Sequence, residues 1–365
     1  MRLASKRNCS APRRSWATID TRRINCALLK RWVFEAAEAG QLNALSRRLY
    51  GRSIAVLCYH GVVEGDRGAD RALYGNTVNI REFESHLDYL VKRFAPISGA
   101  HFIAALTEGK SLPRNPVVVT FDDGYRNNFT HAAPILLRKG VPAVFHLTTG
   151  YVGSQAILWP DEILLRVLDW PESTLNAPAG SFRLPGPADW SERFRVAKDI
   201  SQACKRVPAE SRDEFLTSLR SKTPPIPSRY DSEAHDFMNW TEARRLAEQG
   251  FELGSHTVSH PILTGLTAGM LAAELRESRA TIERQTGSSC TLIAYPNGSR
   301  DDYSDAVIRE TEKAGYRVAF SVEDRRAGRA PRRFAVPRLG VPGHVPLPIF
   351  FSKVSGLYAL LGRGR

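Results

Sequence analysis

Short apolar strands alternate with amphipathic helices along most of the chain, and this alternation restricts the possible folds more than any other sequence feature. Helical patterns such as NIREFESHLDYLVKR at 79–93 lie between the strands. Strands separated by helices cannot form tight hairpins and favour a parallel sheet, either open or closed into a barrel. The length of 365 residues suits one large α/β domain with insertions. The predicted strands lie at 53–62, 116–121, 142–149, 251–256, 291–296 and 317–322.

The composition divides the chain into a central domain and two different ends. We expect a basic leader and N-terminal helix at 1–52, an α/β domain at 53–342, and an apolar, basic segment at 343–365. Within the domain, residues 153–237 break the strand–helix rhythm with several tryptophans and a Pro-rich stretch. This break predicts a helical insertion that caps or flanks the functional site.

The net charge of +13 belongs mainly to the two ends of the chain. Residues 1–52 hold 12 Lys/Arg and 3 Asp/Glu, and residues 323–365 hold 9 and 2. Basic ends can contact anionic lipid or nucleic acid, or they can be solvated tails. There is no apolar run of about 18 residues that would indicate a membrane span, and no secretory signal. Five widely spaced cysteines without a CxxC pair favour a reducing compartment, so we expect a cytoplasmic protein.

The C-terminal sequence PLPIFFSKVSGLYALLGRGR at 346–365 has two interpretations. Its apolar residues and terminal arginines suit reversible binding to the anionic inner surface of a membrane, together with the basic leader. Alternatively, the segment packs back on the domain as a closing helix. We expect no nucleic-acid partner, and the sequence leaves the oligomeric state open.

Potential metal ligands follow two of the predicted strands. His256 and His260 come at the end of the strand at 251–256. Their His-x-x-x-His spacing predicts two imidazoles on one side of a helical turn, where they can share a metal. Asp123 can supply a third ligand from the end of another strand. Two histidines and one carboxylate leave positions open for water and substrate, which suits hydrolysis.

Asp122 precedes the potential ligand Asp123 directly, and two adjacent carboxylates do not suit a core. If Asp123 binds a metal, Asp122 can stay free and take a proton from the attacking water. Gly124 permits a turn that lets both side chains reach one pocket. The alternative is that Asp122 caps a helix beginning near Tyr125.

Three motifs together resemble a known enzyme family. TFDDG at 120–124 and SHTVSH at 255–260 resemble the first two motifs of the polysaccharide deacetylases, carbohydrate esterase family 4 with the NodB homology domain. AYPNG at 294–298 resembles that family's Arg-x-Pro-Tyr-Gly motif, with departures. The resemblance covers about residues 53–342. It implies a distorted (β/α)7 barrel, the NodB-like barrel, with the insertion at 153–237.

The resemblance also implies roles for individual residues. Asp122 corresponds to the catalytic base, and Asp123, His256 and His260 correspond to the ligands of a divalent metal, usually zinc. Thr257 falls where the second motif has Ser or Thr, which steadies the loop. The implied reaction releases acetate from N-acetylated amino sugars of a polysaccharide.

The chain also departs from the common pattern of the family. Ala294 stands where many members have the arginine that orients the base, and Arg338 in VPRLGV could replace it from across the barrel, unless it simply pairs with a surface acid. The backbone N–H of Asn297 is expected to help hold the oxyanion. LCYHGV at 57–62 resembles the first-strand element of the poly-N-acetylglucosamine deacetylase subgroup, which makes His60 the candidate acid. The alternative is that His60 is a core histidine bonded to backbone.

Aromatic residues near the motifs are candidates for contact with sugar rings. Tyr125 follows the TFDDG motif, and Trp159 lies in the insertion. Either could line a sugar subsite, although packing is the expected role of Trp159. No catalytic role is assigned to His86, His101, His131, His146 and His235, and His344 is left undecided.

The sequence and the resemblance thus predict a metal-dependent hydrolase, with zinc as the expected divalent metal, that removes N-acetyl groups from amino sugars of a polysaccharide or lipid-linked glycan, for example in exopolysaccharide synthesis. It would act on a carbon–nitrogen bond that is not a peptide bond. One alternative is an amidase for a small molecule or peptide. The other is an inactive glycan-binding barrel, which Ala294 favours and which the intact set of two aspartates and two histidines argues against.

Overall fold

The computed structural model of the protein describes residues 41–65, 75–186, 189–343 and 345–360. The predicted leader and the first part of the predicted N-terminal helix lie outside the described residues. Thirteen helices are labelled here within the described ranges: α1 (Leu42–Leu49), α2 (Ile80–Arg93), α3 (Gly99–Thr107), α4 (Ala133–Lys139), α5 (Trp159–Asp169), α6 (Trp190–Ala203), α7 (Ala209–Lys222), α8 (Ser232–His235), α9 (Trp240–Glu248), α10 (Ala268–Thr286), α11 (Asp305–Lys313), α12 (Leu347–Ser355) and α13 (Leu357–Leu360).

Seven parallel strands close into a barrel. Each strand pairs with the next one along the chain, and the last pairs with the first. The prediction of a (β/α)7 barrel is therefore confirmed. The barrel strands are β1 (Ala55–Tyr59), β2 (Pro116–Phe121), β3 (Ala143–Leu147), β4 (Glu252–Ser255), β5 (Leu292–Ala294), β6 (Val318–Val322) and β7 (Val336–Gly340).

The barrel strands carry side chains to two separate apolar layers, as the alternation of side chains along a strand requires. One cluster joins residues from six of the seven barrel strands, including Val56, Val118 and Val144, and fills the barrel. Their neighbours Leu57 and Val119 belong to the larger cluster beneath the surrounding helices. Strands buried on both faces explain the nearly continuous apolar runs in the sequence.

The carboxyl ends of the strands bring the sequence motifs together at one mouth of the barrel. Asp122 and Asp123 follow β2, His256 follows β4, and Asn297 follows β5. His60 lies between β1 and a three-residue strand at Gly61–Val63, which divides the single strand predicted at 53–62. In a barrel of parallel strands this is the face on which functional loops converge.

The insertion forms a second packing unit beside that mouth. Helices α5, α6 and α7 share an apolar cluster of their own, with Trp159, Ile163 and Ile200 among its buried members. A two-stranded hairpin, Thr174–Ala177 with Gly180–Arg183, lies between α5 and α6 and was not predicted. The domain boundaries drawn from composition remain a prediction.

Helix α12, near the C-terminus, packs against helix α2. Phe350 stacks on His86 with ring centroids 3.7 Å apart, and Phe351 stacks on Tyr89 at 3.9 Å. Val354 is buried as well. The apolar face of α12 is thus covered, as the closing-helix interpretation expects. None of the described helices is both long and apolar enough to cross a bilayer.

Candidate active site

Asp123, His256 and His260 form a buried cluster at the mouth of the barrel. Their potential ligand atoms all lie within 4.8 Å of one another. Asp123 Oδ1 is 3.4 Å from His256 Nε2 and 3.6 Å from His260 Nε2. All three side chains are buried. The structure thus brings together the three residues predicted to bind a metal.

The donor atoms of this cluster fit a divalent metal. Two ligands at about 2.1 Å from a tetrahedral zinc lie about 3.4 Å apart, close to the separations observed here. Asp123 Oδ1 is buried and has no hydrogen-bond partner among the described residues. His256 Nδ1 is 2.8 Å from the backbone oxygen of Ala294, an acceptor, so the Nδ1 atom donates to it and the Nε2 atom faces the carboxylate of Asp123. This contact requires positive charge between the two groups, which either a metal ion or a proton on Nε2 supplies.

The electrostatic environment of the two histidines agrees with that requirement. Burial and the neighbouring His256 lower the pKa of His260 to about 3, so His260 is neutral and can act as a ligand. Burial alone would lower the pKa of His256, but the carboxylates of Asp122 and Asp123 raise it above its ordinary value. The raised pKa reports a strongly negative potential at this position, which favours a cation.

The histidine loop is not the helical turn that the His-x-x-x-His spacing predicted, and that prediction is wrong. No helix is assigned between β4 and His260; the backbone bends instead, with positive φ angles of 69° at Thr257 and 58° at His260. The carboxylate of Glu274 on α10 accepts hydrogen bonds from the N–H groups of Val258 and Ser259, at 2.7 Å and 3.0 Å. These bonds satisfy a loop backbone that no helix supports.

Strained backbone conformations concentrate at this site. Asp123 and Asn297 also have positive φ angles, 72° and 56°. Such conformations cost about 1–3 kcal/mol each for residues other than glycine and persist where the surroundings enforce them. The Thr257 hydroxyl accepts from the N–H of His260 at 3.1 Å and donates to the carbonyl of His256. Thr257 therefore links both histidines, at the position where steadying of the loop was expected.

Asp122 is held by three side chains from other strands. Arg338 on β7 donates from Nη1 to Asp122 Oδ1 at 2.7 Å and from Nη2 to Oδ2 at 2.6 Å. His146 Nδ1 lies 3.0 Å from Oδ1, and the Cys58 thiol lies 3.3 Å from Oδ2. The carboxylate is therefore directed into the barrel mouth and does not cap a helix. Arg338 lies where the replacement for the missing arginine was predicted.

This arrangement keeps Asp122 ionised. Burial alone would raise the pKa of Asp122, but Arg338, His256 and His146 hold it well below its usual range. Burial alone would lower the pKa of Arg338, and Asp122 raises it above its ordinary value. A bidentate guanidinium–carboxylate pair of this kind also fixes orientation.

His146 is a site residue that the sequence analysis missed. It lies on β3 with a fully buried ring, and burial lowers its pKa although Asp122 opposes this. The neutral ring donates from Nδ1 to Asp122. Gly254 on β4 makes room for it, because a Cβ atom there would overlap Cδ2 of His146. A lone histidine inside an apolar strand resembles a core residue, and only the neighbouring strands reveal its contact.

His60 lies beside the two aspartates. It is half-buried, and a ring nitrogen of His60 lies within 4.8 Å of both an Asp122 oxygen and the Cys58 sulfur. Burial alone would raise the pKa of Asp123, but the histidines around it, His256, His60 and His260, lower it. The structure therefore places the predicted acid at the site and not in the apolar core.

Asn297 occupies the loop after β5 and lines a cavity of about 620 Å³ at the barrel mouth. Gly298 N–H donates to the carbonyl of Pro296, and Val322 N–H donates to that of Gly298. Among the hydrogen bonds of the described residues, the Asn297 N–H has no acceptor. The expected oxyanion donor is thus available to a ligand.

The two candidate aromatic residues join the insertion to the site. The Tyr125 hydroxyl donates to Asp161 at 2.7 Å, and one face of its ring stacks on Phe237. Trp159 Nε1 donates to the backbone oxygen of His260 at 2.9 Å. Trp159 is buried, which agrees with a packing role, but its contact with a candidate metal ligand was not predicted.

Comparison with known proteins identifies polysaccharide deacetylases as relatives of this chain. A model of the family described as polysaccharide deacetylase matches residues 109–203 and 215–319, more than half of the chain. A Bacillus subtilis protein named as a polysaccharide deacetylase, YxkH, is 21% identical over 294 residues, which cover 80% of this chain and 72% of that protein. The poly-beta-1,6-N-acetyl-D-glucosamine N-deacetylase of Escherichia coli K12 is 37% identical over 76 residues, 20% of this chain and 11% of that protein.

A solved structure shares the fold. The deacetylase PplD of Streptococcus pyogenes, determined in complex with acetate, has a TM-score of 0.54 at 16% identity, and the match covers 83% of this chain and 98% of that one. Together with the motif order and the geometry of the site, the family match confirms the predicted resemblance. The chain belongs to the polysaccharide deacetylase family of hydrolases.

Proposed function

We propose that the protein is a metal-dependent hydrolase that removes N-acetyl groups from amino sugars of a polysaccharide or lipid-linked glycan. One observation carries the proposal: the ionised carboxylate of Asp122 adjoins the buried cluster of Asp123, His256 and His260. This combination supplies a proton acceptor beside a set of ligands with the spacing that zinc requires.

Asp123, His256 and His260 would hold the metal. The proposed metal is zinc, because nitrogen and carboxylate ligands in a small buried cluster suit it. When bound, zinc supplies a Lewis acid that polarises the acetyl carbonyl and acidifies water. Trp159 and Thr257 hold the backbone of the histidine loop in place. The ligand geometry is therefore fixed from both the barrel and the insertion.

Asp122 would accept the proton of the attacking water. Arg338 and His146 fix its orientation and keep it in the ionised form, which is the form able to accept a proton at neutral pH. The low pKa makes it a weaker base than a free carboxylate, and the fixed position offsets part of that loss.

The remaining roles follow from the positions of His60 and Asn297. The unpaired N–H of Asn297 would stabilise the oxyanion that develops on the acetyl oxygen. His60, at the mouth and close to Asp122, would protonate the leaving amine. Proton acceptor and proton donor are thus separate residues on neighbouring strands.

Acetate release from a panel of substrates tests the proposal. Protein loaded with zinc should release acetate from N-acetylglucosamine oligomers and not from N-acetylated small amides or acetylated peptides. Activity on the small amides alone would favour the amidase alternative. Binding of oligomers without any acetate release would favour the inactive barrel.

The proposed location is the cytoplasm, with reversible contact to an anionic membrane surface. The apolar C-terminal segment was one reason to expect this contact, and the structure shows the apolar face of its helix α12 covered. Leu42, Leu45 and Leu49 on α1 are exposed by 44%, 53% and 66%, and they lie beside the basic end of the chain. Co-sedimentation with anionic vesicles should therefore fall when salt is raised and when these leucines are replaced by serine. Absence of binding at low salt would contradict the contact.

A further inference from the structure

The insertion builds one wall of the active site. Trp159 of α5 is bonded to His260, and two residues further on Asp161 accepts from Tyr125. Helix α6 is fixed against the start of α5, because the Ser201 hydroxyl donates to the carbonyl of Pro160 at 2.9 Å. Side chains near the end of α6 therefore lie beside the segment that carries Trp159 and Asp161.

Lys205 is such a side chain. It lies in the 3₁₀ turn Cys204–Arg206 that follows α6, one helical turn beyond Ser201. It lines a cavity of about 160 Å³ that includes Tyr125 and Asp161, and also the cavity of about 620 Å³ that includes Asn297. Lys205 thus lies between a space that includes Tyr125, next to the TFDDG motif, and a space that includes Asn297 of the AYPNG motif.

The ammonium group of Lys205 is partly withdrawn from water without a close counterion. Burial lowers its pKa, while Asp302, Asp161 and Asp123 oppose this from a distance. Within the described part of the chain, no ion pair places a carboxylate oxygen within 4.0 Å of Lys205 Nζ. A charge in such a position is costly unless a partner arrives.

The nearby acids are engaged elsewhere. Asp302 accepts from the N–H of Ser299 at 2.8 Å and from its hydroxyl. Asp301 lies 3.8 Å from Arg206. Asp161 is bonded to the Tyr125 hydroxyl, and burial raises the pKa of Asp161.

Lys198 adds a second cation to the same wall. It lies on α6, seven residues before Lys205, and it is exposed and lines the smaller cavity together with Lys205. Two lysines on one side of a cavity, together with the charge of a divalent metal, favour a ligand with a negative group.

We propose that Lys205 and Lys198 bind a carboxylate or phosphate group carried by the glycan next to the acetamide that is cleaved. This inference rests on the proposed deacetylation. It names the substrate class as anionic N-acetylated glycans, and it gives the insertion a role in substrate choice.

Three N-acetylated tetrasaccharides test the inference: a neutral N-acetylglucosamine tetramer, its 1-phosphate, and a tetramer that alternates N-acetylglucosamine with glucuronic acid. Lys205→Gln should raise the KM of at least one anionic substrate about tenfold, the loss expected for one charge-assisted hydrogen bond, with kcat nearly unchanged. The KM for the neutral tetramer should stay within about twofold. The two anionic substrates distinguish a phosphate site from a carboxylate site.

Lys222→Gln is the matched control, because Lys222 also belongs to the insertion but pairs with Glu172 and lines neither cavity. Lys222→Gln should leave the KM and kcat for all three substrates unchanged. Equal losses on neutral and anionic substrates in Lys205→Gln would overturn the inference.

A binding measurement separates this inference from the proposed function. Titration calorimetry with the two anionic tetramers should show weaker binding of at least one to Lys205→Gln than to the unaltered protein. Weaker binding without any acetate release would retain the anion site and reject deacetylation. Acetate release with equal binding by both proteins would retain deacetylation and reject the anion site.

Discussion

Replacement of Arg338 by methionine should cost the protein a large part of its stability. Both partners of the Arg338–Asp122 pair are buried, and two hydrogen bonds of 2.7 Å and 2.6 Å join them. Removal of one partner of such a pair leaves an uncompensated charge in the interior and costs about 3–5 kcal/mol. Since domains are stable by only about 5–15 kcal/mol, Arg338→Met should lower the denaturation midpoint strongly. The double variant Asp122→Asn with Arg338→Met should lose less than the sum of the two single variants.

The stability loss caused by Arg338→Met should be larger at neutral pH than at acidic pH. In the unaltered protein the pKa of Asp122 lies well below the unfolded value of about 3.9, so the pair stabilises the fold above that pH and the contribution is lost as pH falls through the folded pKa. Without Arg338, burial raises the pKa of Asp122, and protonation relieves the buried charge. The difference in stability between the two proteins should therefore be largest at neutral pH and shrink near pH 4 and below.

Guanidinium denaturation of chelator-treated protein measures this difference at both pH values. Arg326→Met is the matched control, because Arg326 binds the backbone oxygens of Ser53 and Val354 and pairs with no carboxylate among these contacts. Its stability loss should not shrink at low pH. A loss below about 1 kcal/mol for Arg338→Met at neutral pH, or one that does not depend on pH, would refute the reasoning.

Three further outcomes follow from the site. His60→Ala should slow cleavage of an acetamide far more than that of an activated aryl acetate, because an aryloxide leaves without a proton; equal losses would reject the acid role. Gly254→Ala should slow turnover about tenfold and lower stability, with metal content unchanged, because the added methyl group displaces His146 from Asp122. Adding His146→Ala to Gly254→Ala should restore the stability but not the turnover. Trp159→Phe should weaken metal binding about 10–100-fold, measured by competition with a chelator, because the carbonyl of the loop histidine loses its donor; unchanged affinity would assign Trp159 to packing alone.

Local sequence patterns were sufficient to predict the barrel, but they predicted only part of the active site. Apolar runs bounded by turn residues predicted the strands, and three motifs at strand ends predicted where the carboxyl ends would converge. The short loop between His256 and His260 was misjudged, because the spacing of two histidines carries no information about backbone angles. The loop also takes hydrogen bonds from Val258 and Ser259 to Glu274, which lies on the next helix and outside the motif.

Contacts between distant parts of the chain account for what the sequence did not reveal. His146 is a donor to Asp122 only because β2 and β3 are adjacent and Gly254 leaves space. Trp159 and Lys205 belong to an insertion whose helices show no periodic relation to the motifs. Arg338 could be anticipated from the resemblance to the family, but its two bonds to Asp122 depend on closure of the barrel between β7 and β1.

The two adjacent aspartates provide the most direct test of the central claim, that a metal cluster and an ionised base lie side by side. The measurement is zinc content and acetate release, determined together for the unaltered protein, Asp122→Asn and Asp123→Asn. Asp122→Asn should keep its zinc and lose about 10²–10⁴-fold in turnover, whereas Asp123→Asn should lose both. Full zinc retention in Asp123→Asn, or a loss of only a few-fold in Asp122→Asn, would contradict the account.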